Sequence, residues 1–226
     1  KVYNELRFYT KDKVEYLGTD EIYFYHLDAK DRSEEAKKLR VLLKLAKKQK
    51  TIVVTSVDAI LRKYIPKKVL LDNIFTYKIG DIINLEELSQ NLVRLGYERV
   101  SRIEGLGQFS IRGGIIYVYY LEYTKPIRIE LFDDEIYSIR TFDVFSQKSI
   151  DKIKKVVITP SREFIYPEDT TSAVEKIKEE TNKYTDDDVL KNIENISDRT
   201  YFQGVENYID YLYDDQNKSI FSYLPD

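Results

Sequence analysis

Apolar and polar residues alternate through the middle of the chain, and this alternation predicts an antiparallel sheet. Within 126–132 the two sides of the predicted strand differ in kind, with Ile127, Ile129 and Leu131 on one and Arg128, Glu130 and Phe132 on the other. Further strands are predicted near 75–79, 98–104, 107–112, 114–120 and 135–142, with turns or bulges at glycines 105, 107, 113 and 114. The pattern indicates a sheet with one core face and one polar face.

Helical periodicity flanks this sheet on both sides. A helix is predicted over Ser33–Lys48, where a capping serine precedes an apolar stripe. Asn84 is predicted to cap a helix that ends at Gly96, with Glu87 placed to complete a capping box. The other predicted elements are a strand at Thr51–Thr55, a helix from Ser56 to near Pro66, and helices near 170–183, near 186–196 (capped by Thr185) and after Gly204.

The order of these elements predicts an α/β fold with an inserted α+β domain. Residues 1–65 show strand–helix alternation with too few strands for a complete sheet. Residues 66–158 are expected to form the inserted domain, in which a helix covers one face of an antiparallel sheet. Residues 159–226 return to helices and are expected to continue the first domain. We expect the chain to be a piece of a longer protein.

Composition narrows the function classes. The 226 residues carry 36 basic and 39 acidic side chains, and this balance argues against strong binding to duplex DNA, which needs a basic stripe. The absence of cysteine excludes disulfides and cysteine-based zinc sites, and His26 alone cannot form a histidine-rich metal site. No apolar run approaches the length of a membrane span. The balanced charge therefore disfavours a direct DNA-binding domain. DNA binding with a steep salt dependence would support that hypothesis.

The sharpest enzyme hypothesis is an ATPase, because residues 131–135, LFDDE, resemble a Walker B box that could hold magnesium. A P-loop also needs a glycine followed by lysine, and none of the eight glycines is followed by lysine. Asp133 and Asp134 are better interpreted as the tight turn between two strands. The sequence therefore predicts no catalytic residue, no cofactor site and no metal site.

The polar side of the predicted sheet is the candidate functional surface. Arg112 joins Arg128, Glu130 and Phe132 there, and arginines around a large aromatic ring are typical of hot spots for protein partners. The guanidinium groups are expected to pair with partner carboxylates, and the ring of Phe132 to fill a pocket. The alternative is an ordinary solvated face with one exposed phenylalanine.

A family resemblance runs through the same region. It is carried by FSIRGGIIYVYY at 109–120, PIRIELFDDEIYSIRTFD at 126–143, SQKS at 146–149 and VVITPSREF at 156–164. These segments resemble the N-terminal module of the bacterial transcription-repair coupling factor family (Mfd), which is itself similar to UvrB. Weaker resemblance covers nearly the whole chain, including residues 21–45.

The resemblance implies a UvrB-like arrangement, with a degenerate, truncated P-loop-type domain 1 interrupted by domain 2. Residues 1–65 would be a partial domain 1a lacking its first strands, 66–158 domain 2, and 159–226 a C-terminally truncated domain 1b. Domain 2 would dock onto the repair protein UvrA through Arg112, Arg128, Glu130 and Phe132. RNA polymerase, DNA and a masking C-terminal domain would engage other regions. ATP and magnesium would belong only to motor domains absent here, in a cytoplasmic bacterial protein.

Three positions depart from the family pattern. Tyr117 and Tyr137 stand where the family usually has Asp, and Gln108 stands where Glu is common. The expected effect of the two tyrosines is altered turn hydrogen bonds, or a more apolar rim on the docking face, and Gln108 removes a charge next to Arg112. The alternative hypothesis is that the chain is a fragment of the UvrB damage-verifying helicase. UvrB would have a Walker A box upstream and a tyrosine-rich hairpin.

Overall fold

The computed structural model describes residues 2–10, 14–18, 32–120, 125–181, 187–215 and 217–224. The chain divides into two compact units. Unit 1 comprises Lys1–Thr19, Val41–Leu70 and Glu163–Asp226, and unit 2 comprises Asp20–Arg40 and Leu71–Arg162. The domain boundaries after residues 65 and 158 stay predictions.

The described residues form a mixed α/β structure, as the sequence predicted. The helices are α1 (Val2–Thr10), α2 (Arg32–Ala46), α3 (Val57–Leu61), α4 (Lys67–Asp72), α5 (Leu85–Arg94), α6 (Thr171–Thr181), α7 (Asp187–Ser197) and α8 (Ile209–Leu212), with 3-10 turns at Val205–Tyr208 and Ile220–Tyr223. The strands are β1 (Val14–Leu17), β2 (Ile52–Thr55), β3 (Phe75–Lys78), β4 (Glu98–Arg99), β5 (Gln108–Arg112), β6 (Ile115–Tyr119), β7 (Ile127–Phe132), β8 (Glu135–Phe142), β9 (Ser149–Ile153) and β10 (Lys155–Ile158).

Unit 2 is built on a six-stranded sheet in the order β4-β5-β6-β7-β8-β9. β4 is parallel to β5, and all other neighbours are antiparallel. Its buried face joins α5 in one hydrophobic core that includes Leu88, Leu92, Leu95, Phe109, Ile116, Val118, Ile127, Ile129, Ile136 and Ile139. The alternation of the sequence thus places one face of the sheet in the core, while β3 and β10 form a separate antiparallel pair.

A β-bulge interrupts the pairing of β7 with β8. Glu130 pairs with Ser138 and Leu131 with Ile136, so Tyr137 is the extra residue. Ile136 and Ile139 both belong to the core but are separated by an odd number of positions. Because a regular strand would place them on opposite faces, the extra residue is what lets both reach the core.

Unit 1 contains a short parallel pair of strands, β1 and β2. The Oγ1 of Thr55 donates to the carbonyl of Leu17 at 2.8 Å across this pair. The backbone N–H of Tyr64 donates to the carbonyl of Lys218 at 2.7 Å, and the buried hydroxyl of Tyr223 donates to the carbonyl of Ile65 at 2.6 Å. These bonds join the segment around residue 65 to the C-terminal part of the same unit.

The main elements match the sequence-based predictions, and the differences have local causes. The helix predicted from Ser56 to near Pro66 is α3, which Ser56 caps by accepting from the N–H of Ala59 at 3.3 Å, but it ends already at Leu61 because Arg62 is extended. Helix α4, which follows Pro66, was not predicted. Helix α2 begins at Arg32, one residue before the predicted cap. His26 and Thr185 lie outside the described residues.

Strands β9 and β10 were not predicted. Four of the five residues of β9 are exposed, so its sequence carries no alternation between a buried and a solvent face. Strand β4 is also shorter than predicted, with only Glu98 and Arg99 in the sheet.

Asn84 caps α5 as predicted, and we expect Asn84→Ala to lower the free energy of unfolding by about 1 kcal/mol. Its Oδ1 accepts from the N–H groups of Glu86 at 2.9 Å and Glu87 at 3.1 Å. Asn84→Asp is the matched control because it keeps an acceptor at the same place. Urea denaturation measures both variants, and equal stability of the two would show that this cap contributes nothing.

Candidate protein-docking site

The polar face of the six-stranded sheet presents two adjacent cross-strand rows of side chains. One row runs through Arg112, Ile115, Glu130 and Ser138. The next runs through Ser110, Tyr117, Arg128, Arg140 and Lys152. Three of the four predicted site residues therefore lie side by side in these rows, and Phe132 follows at the end of β7.

Arg128 is half-buried at the centre of this face. Its guanidinium carbon lies 5.1 Å from the ring centroid of Tyr117 and 5.5 Å from that of Phe142. Nη2 donates to the carbonyl of Gln147 at 3.0 Å, and Nη1 reaches Oγ of Ser149 at 3.5 Å. Nε is buried without a hydrogen-bond partner among the described residues. Two of the five N–H donors of the guanidinium are therefore used within the chain.

Arg112 is exposed at the end of β5. Its Nε donates to the carbonyl of Ser101 at 3.1 Å, and its Nη2 donates to the same oxygen. The remaining guanidinium nitrogen, Nη1, gives this side chain a donor for a second acceptor. The carbonyl of Ser101 thereby fixes the direction in which Arg112 presents its charge.

Glu130 is half-buried between basic residues. Its Oε2 lies 3.9 Å from Nε of Arg140, which also donates to Oγ of Ser138 at 2.9 Å. Arg140 stands directly opposite Arg128 on the neighbouring strand, where like charges repel. Glu130 therefore reduces the repulsion between two arginines, and the face stays basic around it.

Phe132 is 75% exposed at the end of β7. The two-residue turn of Asp133 and Asp134 follows it, and Phe132 pairs with Glu135 across the hairpin. Asp133 has φ of 52°, a left-handed conformation that aspartate tolerates in tight turns. The turn interpretation of LFDDE is therefore confirmed, and the hairpin holds the aromatic ring out in solvent.

A loop at 143–148 covers one end of the polar face. The Oδ1 of Asp143 accepts from both the N–H and the Oγ of Ser146 at 2.8 Å, and its backbone pairs with Lys148 and Gln147. The N–H of Ser146, followed by its hydroxyl, holds the pKa of the Asp143 carboxyl below its usual range. The loop is thus closed by a charged acceptor.

Removing the hydroxyl in Ser146→Ala should raise the pKa of Asp143 toward its usual value. A carboxyl with a lowered folded pKa stabilises the loop at pH above its unfolded pKa, and that stabilisation is lost as the pH falls through the folded pKa. NMR titration of the Asp143 carboxyl measures the shift. Asp169 is the control, since its lowered pKa comes from Thr171 and should not move. An unchanged pKa of Asp143 in Ser146→Ala would show that the Ser146 hydroxyl does not donate to this carboxyl in solution.

The three departures from the family pattern have distinct surroundings. Tyr117 packs edge-to-face on Phe142 with ring centroids 5.5 Å apart and lies under Arg128, in the interior of the sheet. Tyr137 is the 70% exposed bulge residue. The Oε1 of Gln108 accepts from the N–H groups of Glu104 at 2.9 Å and Gly105 at 3.0 Å, a role that a glutamate oxygen would also fill.

Sequence reasoning missed several residues of this surface. Phe142 and Arg140 follow the same two-residue period as the predicted residues, so the alternation along β8 could have identified them. The loop at 143–148 could not be found this way, because it contacts Arg128 only through the folded sheet.

Two further findings bear on the class of site. Among the described residues no group of acidic or histidine side chains is arranged to hold a metal ion. Within the same parts of the chain, no helix is both long and apolar enough to cross a membrane.

Comparison with known proteins gives consistent matches. Residues 75–164 match the family model of the UvrB interaction domain. The transcription-repair-coupling factor of Bacillus subtilis (strain 168) is 33% identical over 204 residues, covering 84% of this chain and 17% of the relative. The factor of Staphylococcus epidermidis (strain ATCC 12228) is 31% identical over 206 residues, covering 85% and 18%. That of Staphylococcus haemolyticus is 30% identical over 198 residues, covering 84% and 17%. The chain spans less than a fifth of the length of these relatives.

Proposed function

This chain carries a UvrB interaction domain and is a homologue of part of the transcription-repair-coupling factors, and from that premise we propose that it is a non-catalytic module that recruits UvrA to stalled transcription complexes. The observation that carries the proposal is Phe132, 75% exposed at the end of a basic sheet face within the matched segment. An exposed aromatic beside arginines is the composition of a protein-binding hot spot.

The docking surface that we propose consists of Arg112, Arg128, Glu130 and Phe132. Phe132 supplies the apolar anchor, and Arg112 supplies a charge whose direction is set by Ser101. Arg128 contributes mainly by holding the face together, since its contacts to Tyr117, Phe142 and Gln147 lie within the chain. Glu130 balances the positive charge between its neighbours.

The finer fold assignment is part of the same proposal. We assign residues 1–65 to domain 1a, 66–158 to domain 2 and 159–226 to domain 1b of a UvrB-like arrangement, with domain 1 a degenerate, truncated P-loop-type domain. The division of unit 1 into segments before and after the six-stranded sheet supports an interrupted domain. Segments 41–70 and 163–226 are joined by the backbone bond from Tyr64 to Lys218 and by the bond from the Tyr223 hydroxyl to the carbonyl of Ile65, as a continued domain requires.

We propose that this segment binds no cofactor and turns over no nucleotide. Asp133 and Asp134 form the hairpin turn, and the sequence has no glycine followed by lysine. We assign the binding of ATP, magnesium, RNA polymerase and DNA to other regions of a longer, cytoplasmic protein. A fragment of the UvrB helicase would instead be expected to lie next to a complete P-loop.

The experiment that tests the proposed function is binding of this chain to purified UvrA, without nucleotide or DNA. The Arg128→Ala, Phe132→Ala double variant is the comparison, with its fold checked by circular dichroism. Binding that is lost in the folded variant supports the recruitment module. A folded chain that does not bind UvrA contradicts it.

A further inference from the structure

We propose that loop 143–148 is a second contact element of the UvrA-docking surface, with Phe145 as its apolar anchor. This inference rests on the proposed function and adds to it a residue that lies outside the four-residue surface. The expected target is an acidic area of UvrA with an apolar recess.

Phe145 is the most exposed large apolar side chain among the described residues, at 89%. A single exposed phenylalanine is common on protein surfaces, but Phe145 is held in a hydrogen-bonded loop beside a basic sheet face, and an aromatic ring beside arginines is the composition of a protein-binding hot spot. Within the segment that matches the UvrB interaction domain, only Phe132 is a comparably exposed phenylalanine among the described residues. Phe132 is the last residue of β7, whereas the loop that carries Phe145 contacts Arg128 near the start of that strand.

The loop presents this ring from a rigid backbone. Asp143 bonds twice to Ser146, the N–H of Gln147 donates to the carbonyl of Asp143 at 2.8 Å, and Nε2 of Gln147 donates to the carbonyl of Val144 at 2.6 Å. These bonds close the loop on itself around Phe145. A preordered anchor loses little conformational freedom on binding, and this favours affinity.

The loop is also continuous with the polar face of the sheet. Arg128 donates to the carbonyl of Gln147 at 3.0 Å, and Nη2 of Arg102 donates to the carbonyl of Phe145 itself at 3.2 Å. Both arginines are thereby bonded to the backbone of the loop. A partner that covers the polar face at Arg128 reaches the loop as well.

The positive charge of the polar face indicates which kind of partner surface can bind it. Arg112, Arg128, Arg140 and Lys152 stand in the two rows of the polar face, and Glu130 is the acidic member. The chain as a whole is acidic, with a net charge of −3, so this face is locally opposite in sign to the rest. Complementarity therefore requires an acidic surface on UvrA around the recess that takes Phe145.

The test is the affinity of the full 226-residue chain for purified UvrA with Phe145→Ala, measured by titration calorimetry. We expect the dissociation constant to rise about 10-fold or more, as for an interface anchor. Phe8→Ala is the matched control, since Phe8 is 81% exposed on α1 in unit 1, and it should leave the affinity unchanged. Phe145→Tyr keeps a ring and should bind within about 3-fold of the unmodified chain.

A double-mutant cycle locates the contact. Phe145→Ala and Arg128→Ala should be coupled, because Arg128 holds the loop, whereas Phe145→Ala and Phe132→Ala should be additive. Unchanged affinity in Phe145→Ala, with loss in Phe132→Ala, would overturn this inference and leave the proposed function standing. Equal weakening by Phe8→Ala, or a change in self-association instead of UvrA binding, would also overturn it. An unmodified chain that does not bind UvrA would overturn both.

Discussion

The Arg128→Ala, Phe132→Ala double variant is expected to bind UvrA about 1000-fold more weakly than the unmodified chain while keeping its fold. Truncation of a hot-spot residue costs about 2 kcal/mol or more, and two such losses add to about 4 kcal/mol. This is the largest effect expected on binding.

The two residues contribute for different reasons. Phe132 is 75% exposed and makes its contribution only when a partner covers the ring. Arg128 contributes through its cation–π contacts with Tyr117 and Phe142 and through its bond to Gln147, so its loss loosens the face that the partner meets. Four positions along a strand separate them by about 13 Å, far enough for independent effects.

The measurement is a dissociation constant for each single variant and for the double variant, beside circular dichroism spectra. Arg199→Ala, Phe221→Ala is the matched control, since both side chains are exposed in unit 1. The control should bind as the unmodified chain does. Retained affinity in the folded Arg128→Ala, Phe132→Ala variant would remove this face from the docking site.

Phe142→Ala is expected to lower the free energy of unfolding by about 3 to 5 kcal/mol, the typical loss for a buried phenylalanine. Phe142 is fully buried although it belongs to the polar face, because Tyr117 packs against its ring and Arg128 lies above it. Removal of the ring leaves a cavity and takes away one of the two aromatic supports of Arg128.

Phe145→Ala is the control for Phe142→Ala. Phe145 lies three residues after Phe142 and is 89% exposed. Its substitution should change the free energy of unfolding by less than about 0.5 kcal/mol. Equilibrium urea denaturation followed by circular dichroism measures both. A loss of less than about 1 kcal/mol in Phe142→Ala would mean that the ring does not pack against Tyr117 in solution.

The sequence was sufficient to predict the sheet faces because alternation is a local property. Ile127 and Ile129 are buried and Arg128 and Glu130 are not, as the two-residue period predicts. The caps at Ser56 and Asn84 are equally local, since each side chain binds an N–H group two or three residues ahead. For the same reason the turn at Asp133 could be predicted.

The surroundings of Arg128 could not be predicted, because they depend on which strands pair and in which register. Gln147 lies 19 residues from Arg128 and reaches it only after β8 has returned alongside β7. The bulge at Tyr137 likewise follows from the requirement that Ile136 and Ile139 share one core. Sequence reasoning therefore predicted which residues share the polar face and missed the contacts that hold them in place.

The two outer strands of the six-stranded sheet bear on how the protein behaves at high concentration. An unpaired strand edge offers free N–H and carbonyl groups to another chain and can seed aggregation. Here one edge is β4, limited to the charged pair Glu98 and Arg99, and the other is β9, with Asp151 and Lys152 exposed. Short and charged edges resist such growth, so we expect these two edges to disfavour pairing between copies of this sheet.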